Sequence, residues 1–270
     1  MSRRALTFVV IAALLLGALV VWLWPSPPAP PASETSAVVP PAAAPVVVEP
    51  ASAAASVAAE TSTALPTGVT PLAAGDAAVQ QALVDLLGKP AVLQWLLTDG
   101  FSDRIAATVD NLGRGHVAPR VWPVVPSAGR FTVGADGRIA PENAQRYDAF
   151  VRQVEAVDPA AAALLYRRML PQLQTSFEGL GYPQQRFDAR LRAVIDGLLA
   201  TPARSGPIEV TLTEVKGPVP SERPWVRYEF ADPALEALPS GQKLMLRIGD
   251  DNRRRLQAWL RRFRAEISRP

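Results

Sequence analysis

Residues 158–179 read DPAAAALLYRRMLPQLQTSFEG, and the interpretation of this stretch decides the fold class. Asp158 followed by Pro159 is a helix start. The carboxylate accepts a backbone N–H that has no partner inside the helix, and proline fits the first helical position, where its missing donor costs nothing. Leu165, Met169, Leu173 and Phe177 then recur every four residues, which places them along one face of a helix. Pro171 falls inside that stripe. A kink or a break is therefore expected near residues 167–170, where one backbone hydrogen bond is lost.

Working outward, Gly179, Gly181 and Pro183 turn the chain. Phe187, Leu191, Val194, Ile195 and Leu198 mark a strongly amphipathic helix that ends before Pro202. On the N-terminal side, Pro141 opens a helix whose apolar face is Phe150, Val151 and Val154. Further back, Asp76 reads as the N-cap of a helix carrying Val79, Leu83, Leu86 and Leu87, with Gly88 at its left-handed C-terminus. Pro90 opens the next helix, filled by Val92, Leu93, Trp95, Leu96 and Leu97 and broken by Gly100. Ile105, Val109 and Leu112 line a third that ends in Gly113-Arg114-Gly115. The run from His116 to Arg130 is too rich in proline and glycine for a helix and reads as extended loop. Phe131 to Ile139 reads as a small hairpin around Gly134-Ala-Asp-Gly137. Ile208, Val210 and Leu212, then Val226, Tyr228 and Phe230, alternate as two strands joined by a turn-rich connection from Gly217 to Pro224. Asp232-Pro233 and Ser240 cap two short helices. Gly249-Asp250 leads into the last, striped by Leu256, Trp259, Leu260, Phe263 and Ile267. The expected fold is mainly α with minor α+β character: a multi-helix compact domain, residues 72–270, with one or two small β-hairpins.

Ahead of this domain, Ala5 to Trp24 carries no charge, and a helix of that length covers the roughly 30 Å hydrocarbon core. Trp22, Trp24 and the prolines after them stand where a cleaved signal would need small residues, so residues 5–24 read as a transmembrane helix that is retained. Arg3 and Arg4 precede it, whereas no Lys or Arg occurs between Trp24 and Gly88. The positive-inside rule puts residues 1–4 in the cytoplasm and residues 72–270 in the periplasm of a bacterium. Residues 25–71 hold eleven prolines and, as charged groups, only Glu34, Glu49 and Glu60. Such a disordered Ala/Pro-rich linker reaches about 140 Å if extended and about 40 Å as a coil.

Composition narrows the chemistry. The chain has 28 Lys+Arg against 25 Asp+Glu, and its arginine bias with abundant Ala and Pro points to a GC-rich bacterial genome. Absence of cysteine removes disulfides and thiolate metal sites. With His116 the single histidine, no site can be built from two imidazoles of one chain. No cofactor and no metal are implied.

Several segments resemble the bacterial domain-of-unknown-function family numbered 3014: Ala107-Thr-Val-Asp-Asn-Leu-Gly-Arg-Gly115, Leu165-Tyr-Arg-Arg168 with Pro171, Leu180-Gly-Tyr-Pro183, Arg190-Leu191 with Val194-Ile-Asp196, Leu198-Leu-Ala-Thr-Pro202, and Tyr228-Glu-Phe-Ala-Asp-Pro233 with Gly241-Gln-Lys243. The resemblance spans about residues 76–267. Gly113 departs from it, since a proline often follows the leucine there. It implies a membrane anchor and a low-complexity linker before the domain, and it brings no catalytic residues.

Four features are candidate sites. Asp110, Asn111 and Arg114 at a helix end can hold a ligand, or can fasten the helix to the following loop. Asp103, Asp110, Glu178, Asp188 and Asp196 supply carboxylates from which an acid–base pair for glycan cleavage could be drawn, with Arg186, Arg190 and Arg192 as the competing ion-pair partners. From Arg247 to Arg269 there are eight arginines against Asp250, Asp251 and Glu266. Arg254, Arg261 and Arg262 are thus candidates for anionic lipid or wall polymer, or else the solvated side of a core-packed helix. Trp122 is either the plug that pins its loop or an exposed anchor for a partner. Nucleic acid is not expected as a partner.

The expectation is an inner-membrane-anchored periplasmic protein acting as a non-catalytic binding or scaffolding module for an envelope protein or wall partner. The alternatives are an envelope hydrolase using acidic residues and a lipid- or polymer-binding module using the C-terminal arginines.

Overall fold

The computed structural model describes residues 68–115, 118–204, 206–213 and 227–269. The expected span at 5–24, residues 1–4, nearly all of the linker, His116 and the connection from Gly217 to Pro224 lie outside them. Among the described residues no helix is long and apolar enough to cross a membrane.

Helix α1 runs Asp76–Leu87, α2 Lys89–Trp95 and α3 Phe101–Leu112. A 3-10 turn at Pro119–Val121 leads to α4, Glu142–Glu155, then α5, Pro159–Gly179, and α6, Phe187–Leu199. Strand β1, Val210–Leu212, pairs antiparallel with β2, Tyr228–Phe230, with Val210 opposite Phe230. Three helices finish the chain: α7 Pro233–Glu236, α8 Ser240–Arg247 and α9 Asp250–Glu266. The expected fold class holds as a mainly helical domain with one small sheet.

The predicted start of α5 forms as read, Asp158 accepting the Ala160 N–H at 3.2 Å. Of the expected kink or break, the break does not form, because α5 passes through Pro171 as one helix. The ring removes the donor that the Arg167 carbonyl would have received, at a cost of about 3 kcal/mol. Against that, Leu165, Tyr166, Met169, Leu170, Leu173 and Phe177 are all buried, at roughly 1.5–3 kcal/mol for each large apolar side chain. Packing wins over the local breaker.

That packing is central to the domain. Helix α5 contacts α3, α6 and α9, and α9 also contacts α4 and α6. Aromatic rings take part in this core. Trp259 stacks on Phe263 at 5.3 Å, Tyr166 meets Phe263 edge-on at 6.4 Å, and Phe177 meets Phe187 at 5.8 Å. The Trp259 indole N–H donates to the Val157 carbonyl at 2.9 Å, so the ring is buried without an orphaned donor.

Three local expectations are corrected. Asp76 does not cap α1, whose cap residue is Gly75. Its carboxylate instead accepts the Gly100 N–H at 2.9 Å, tying α1 to the turn before α3. Helix α2 stops at Trp95, short of Gly100. Leu96 is extended and bridges Val124, while the Leu97 N–H donates to Pro123 and the Val125 N–H to Trp95, so the proline-rich loop zips onto the end of α2. Ser240 is the first residue of α8, and its hydroxyl donates across to α3, where Asn111 offers a carbonyl at 2.7 Å.

A second, smaller core joins Phe131, Val210, Phe230, Leu235 and Leu246. The predicted hairpin at 131–139 survives as a single bridge, Val133 to Ile139. Its backbone continues onto the β1 side through Ile139 N–H to Ile208 and Val210 N–H to Gly137, both at 2.9 Å.

Candidate functional site

The last turn of α3 points Asp110 inward, where it is 7% exposed. Arg190 of α6 lies 3.1 Å from its carboxylate and also donates to its backbone carbonyl at 2.7 Å. Arg114 pairs with the second carboxylate oxygen at 2.7 Å, and the Tyr182 hydroxyl donates to the same oxygen at 3.3 Å. Tyr182 also stacks on Phe177 at 4.8 Å. Asn111 joins this set through its carbonyl, and the Arg114 carbonyl accepts the Ser240 N–H at 2.7 Å. The group therefore ties α3 to α6, to the turn after α5 and to α8. Its backbones pack closely, since a Cβ at Gly113 would lie 2.9 Å from an Arg190 nitrogen and one at Gly241 would lie 3.0 Å from the Leu112 carbonyl, while a cavity of about 160 Å³ opens beside Gly113 and Arg190. Trp122 is 1% exposed, a plug under its loop, with Arg104 donating to the Trp122 carbonyl at 3.1 Å.

The remaining candidate acids each have a local place. Asp103 is exposed. Asp188 accepts from the Tyr166 hydroxyl at 2.7 Å and from Arg192 at 2.8 Å. Burial, and then the charge of Asp188, push the Tyr166 hydroxyl well above its ordinary pKa. Asp196 pairs with Arg264 at 3.0 Å, and Glu178 accepts from Gln174 at 2.8 Å. Among the described residues no cluster of three His, Cys, Asp or Glu could hold a metal ion.

The C-terminal arginines divide into two sets. Arg254 pairs with Asp250 and Asp251, Arg255 with Glu155, Arg264 with Asp196 and Arg269 with Glu266. Arg261 and Arg262 are exposed and form no ion pair among the described residues. Much of the apparent excess of cations is matched inside the fold.

What the sequence did not single out is a cavity of about 260 Å³ where α8 hands over to α9. Four segments wall it: the approach to α4, the approach to β1, the end of α8 and the first turn of α9. Ile139, Pro141, Pro207, Ile208, Met245 and Leu246 provide an apolar lining, with Arg204, Arg247, Arg253 and Asp250 as the charged groups. Arg247 donates to the Tyr228 carbonyl at 2.8 Å and lies 4.9 Å over the Phe230 ring. Its Nε is buried without a hydrogen-bond partner, no carboxylate among the described residues is within ion-pair distance, and burial lowers its pKa. Arg253, 5% exposed, donates to Asp250 and to Gln257. That bond from Arg253 holds the Asp250 carboxyl below its ordinary pKa, and Arg254 takes the other oxygen. Arg204 pairs with Asp232 at 3.2 Å at the rim. Gly249 has a φ of +87°, and a Cβ there would lie 2.7 Å from that of Ala144, so only glycine lets α9 begin this close to α4.

The architecture is that of a mainly helical domain whose small sheet packs beside the cavity. The chain belongs to the family described as Protein of unknown function (DUF3014), whose sequence model matches residues 101–264. All the segments on which the resemblance rests fall inside this match, and α1 and α2 precede it. No curated protein and no solved structure matches the chain.

Proposed function

We propose that this chain is a bacterial inner-membrane protein, held by residues 5–24 with its N-terminus in the cytoplasm. Its domain stands in the periplasm on the linker 25–71 and works as a non-catalytic binding module for an envelope protein or wall partner. The carrying observation is the character of the cavity at the α8–α9 junction. It combines apolar walls and three guanidiniums with a single acid, Asp250, whose two oxygens are both held by arginines. A carboxylate stabilised in its charged form is a poor proton donor or acceptor near neutral pH, so such a cavity is suited to holding a ligand.

A photo-crosslinking residue at Pro207, compared with one at the exposed Leu93, tests this in living cells with the domain tethered and detached. Capture of one discrete partner at Pro207 and not at Leu93 supports the module. Absence of capture from both positions, in both forms, removes it. A periplasm-only reporter fused to the C-terminus tests the topology separately, and a cytoplasmic signal overturns the compartment. Arg261 and Arg262, exposed and without an ion pair among the described residues, favour a second reading, docking on anionic lipid, which predicts that Arg261→Glu with Arg262→Glu releases the domain from anionic vesicles.

A further inference from the structure

We infer that the cavity at the α8–α9 junction binds a small organic anion, a carboxylate carried on a compact apolar body. This rests on the binding-module reading and names the ligand class of the same site.

The charges specify the sign. Three arginines face one carboxylate, and that carboxylate is already saturated by Arg253 and Arg254, so a cationic ligand would find no acid to meet. Arg247 is the one of the three with no ion pair among the described residues, Glu236 and Glu229 acting on it only from beyond contact distance. A largely buried guanidinium without a carboxylate partner carries a desolvation cost that a bound anion relieves. Its planar fork matches a carboxylate better than a point charge would. A second attraction lies beside it. Helix α9 is 17 residues long, has no side-chain hydrogen bond at its cap and starts at the cavity wall, where Gly249 and Asp250 line it, so its N-terminal end adds a favourable field for an anion. The walls specify the rest of the ligand. Ile139, Pro141, Ile208, Met245 and Leu246 offer nothing polar to a hydroxyl-rich sugar but accept an alkyl or aryl group. The volume of about 260 Å³ sets the size at on the order of nine water-sized groups, taking about 30 Å³ for each.

The test uses the full chain in lipid nanodiscs and fluorine NMR of para-fluorobenzoate, with empty nanodiscs subtracted and para-fluorobenzyl alcohol as the neutral analogue. The benzoate is expected to broaden and the alcohol to do so at least tenfold less at equal concentration. Losing a hydrogen bond to a charged group weakens binding by about tenfold or more, so Arg247→Met should raise the Kd of the benzoate by that factor. Arg204→Glu reverses charge at a half-exposed rim position whose ion pair with Asp232 is itself half exposed, and should raise Kd by at least threefold even if Arg247→Met fails to fold. Equal binding of the alcohol, no broadening beyond empty nanodiscs, or an unchanged Kd in Arg204→Glu overturns the assignment. Because the probe is read on the purified chain, these outcomes are independent of whether crosslinking in cells captures a partner.

Discussion

Asp103 and Asp110 lie on the same helix, and replacing each with alanine separates tertiary fastening from local helix chemistry. Local effects alone favour losing Asp110. It sits at the C-terminal end of α3, where a negative charge opposes the macrodipole, whereas Asp103 is in the first turn, where the dipole favours it by about 0.3–1 kcal/mol. The intrinsic helix gain of Asp→Ala is common to both and cancels. The structure reverses that order. Asp110→Ala deprives Arg190, whose Nε already has no partner, of its carboxylate at 3.1 Å, a loss of about 1.5–3 kcal/mol for a hydrogen bond to a charged group. The pair with Arg114 is half exposed and adds about 0–1 kcal/mol. The Tyr182 hydroxyl at 3.3 Å adds about 0.5 kcal/mol. The expected cost of Asp110→Ala is about 2–4 kcal/mol, against about 0.5 kcal/mol or less for the exposed Asp103→Ala. For a domain of this size each kcal/mol moves Tm by about 2–4 °C, so the two variants should differ by about 3–16 °C in thermal melting followed by circular dichroism. Asp110→Ala equal to or more stable than Asp103→Ala would refute the clasp. It would mark Asp110 as a residue kept for a ligand at the expense of stability.

Gly241→Ala would push a methyl to 2.8 Å from Leu198 and 3.0 Å from the Leu112 carbonyl. It should lower stability by about 1–3 kcal/mol in urea unfolding with an unchanged slope; an unmoved midpoint would show that α8 does not approach α3 this closely. Pro171→Ala restores the missing donor to the Arg167 carbonyl and should stabilise by about 1–3 kcal/mol, while destabilisation would mean that the packing of α5 depends on the proline. Glu236 responds to pH. Burial works to raise its carboxyl, but hydrogen bonds from Lys243 and the Phe230 N–H outweigh it and hold the group below its ordinary value. Its contribution is therefore present above the unfolded-state pKa and lost as pH falls below the ordinary carboxylate range and through the folded-state pKa. Glu236→Gln should flatten that part of the acid unfolding curve, and an unaltered curve would sink the assignment.

The helices were legible because their apolar stripes are also the buried ones. Leu191, Val194, Ile195 and Leu198 on α6, and Leu256, Trp259, Leu260 and Phe263 on α9, lie at 5% exposure or below. Punctuation was legible where a side chain acts on its own helix, as Asp158 and Asp232 do. It misled where the side chain works across the fold: Asp76 reaches Gly100 and Ser240 reaches Asn111, and neither partner is visible in local spacing. The same holds for Pro171, whose local cost is overridden by burial that only the assembled domain provides.

The charged groups show why the site was harder to read than the fold. Counting signs along α9 suggests a basic surface, yet Arg255 and Arg264 find Glu155 and Asp196 on other helices, and only Arg261 and Arg262 are left exposed and unpaired among the described residues. The net charge of a segment is thus a weak guide to its field once long-range pairs form. Arg247 is the converse case. In the sequence it is one arginine among eight, without a motif around it. It becomes distinctive because Gly249 lets α9 turn in tightly against α4, leaving the Arg247 guanidinium over Phe230, beside an apolar hollow and without an ion pair among the described residues. Its meaning lies in what its surroundings withhold, and a cation with no ion pair among the described residues, set against apolar walls, specifies an anion with an apolar body more narrowly than a patch of exposed arginines can.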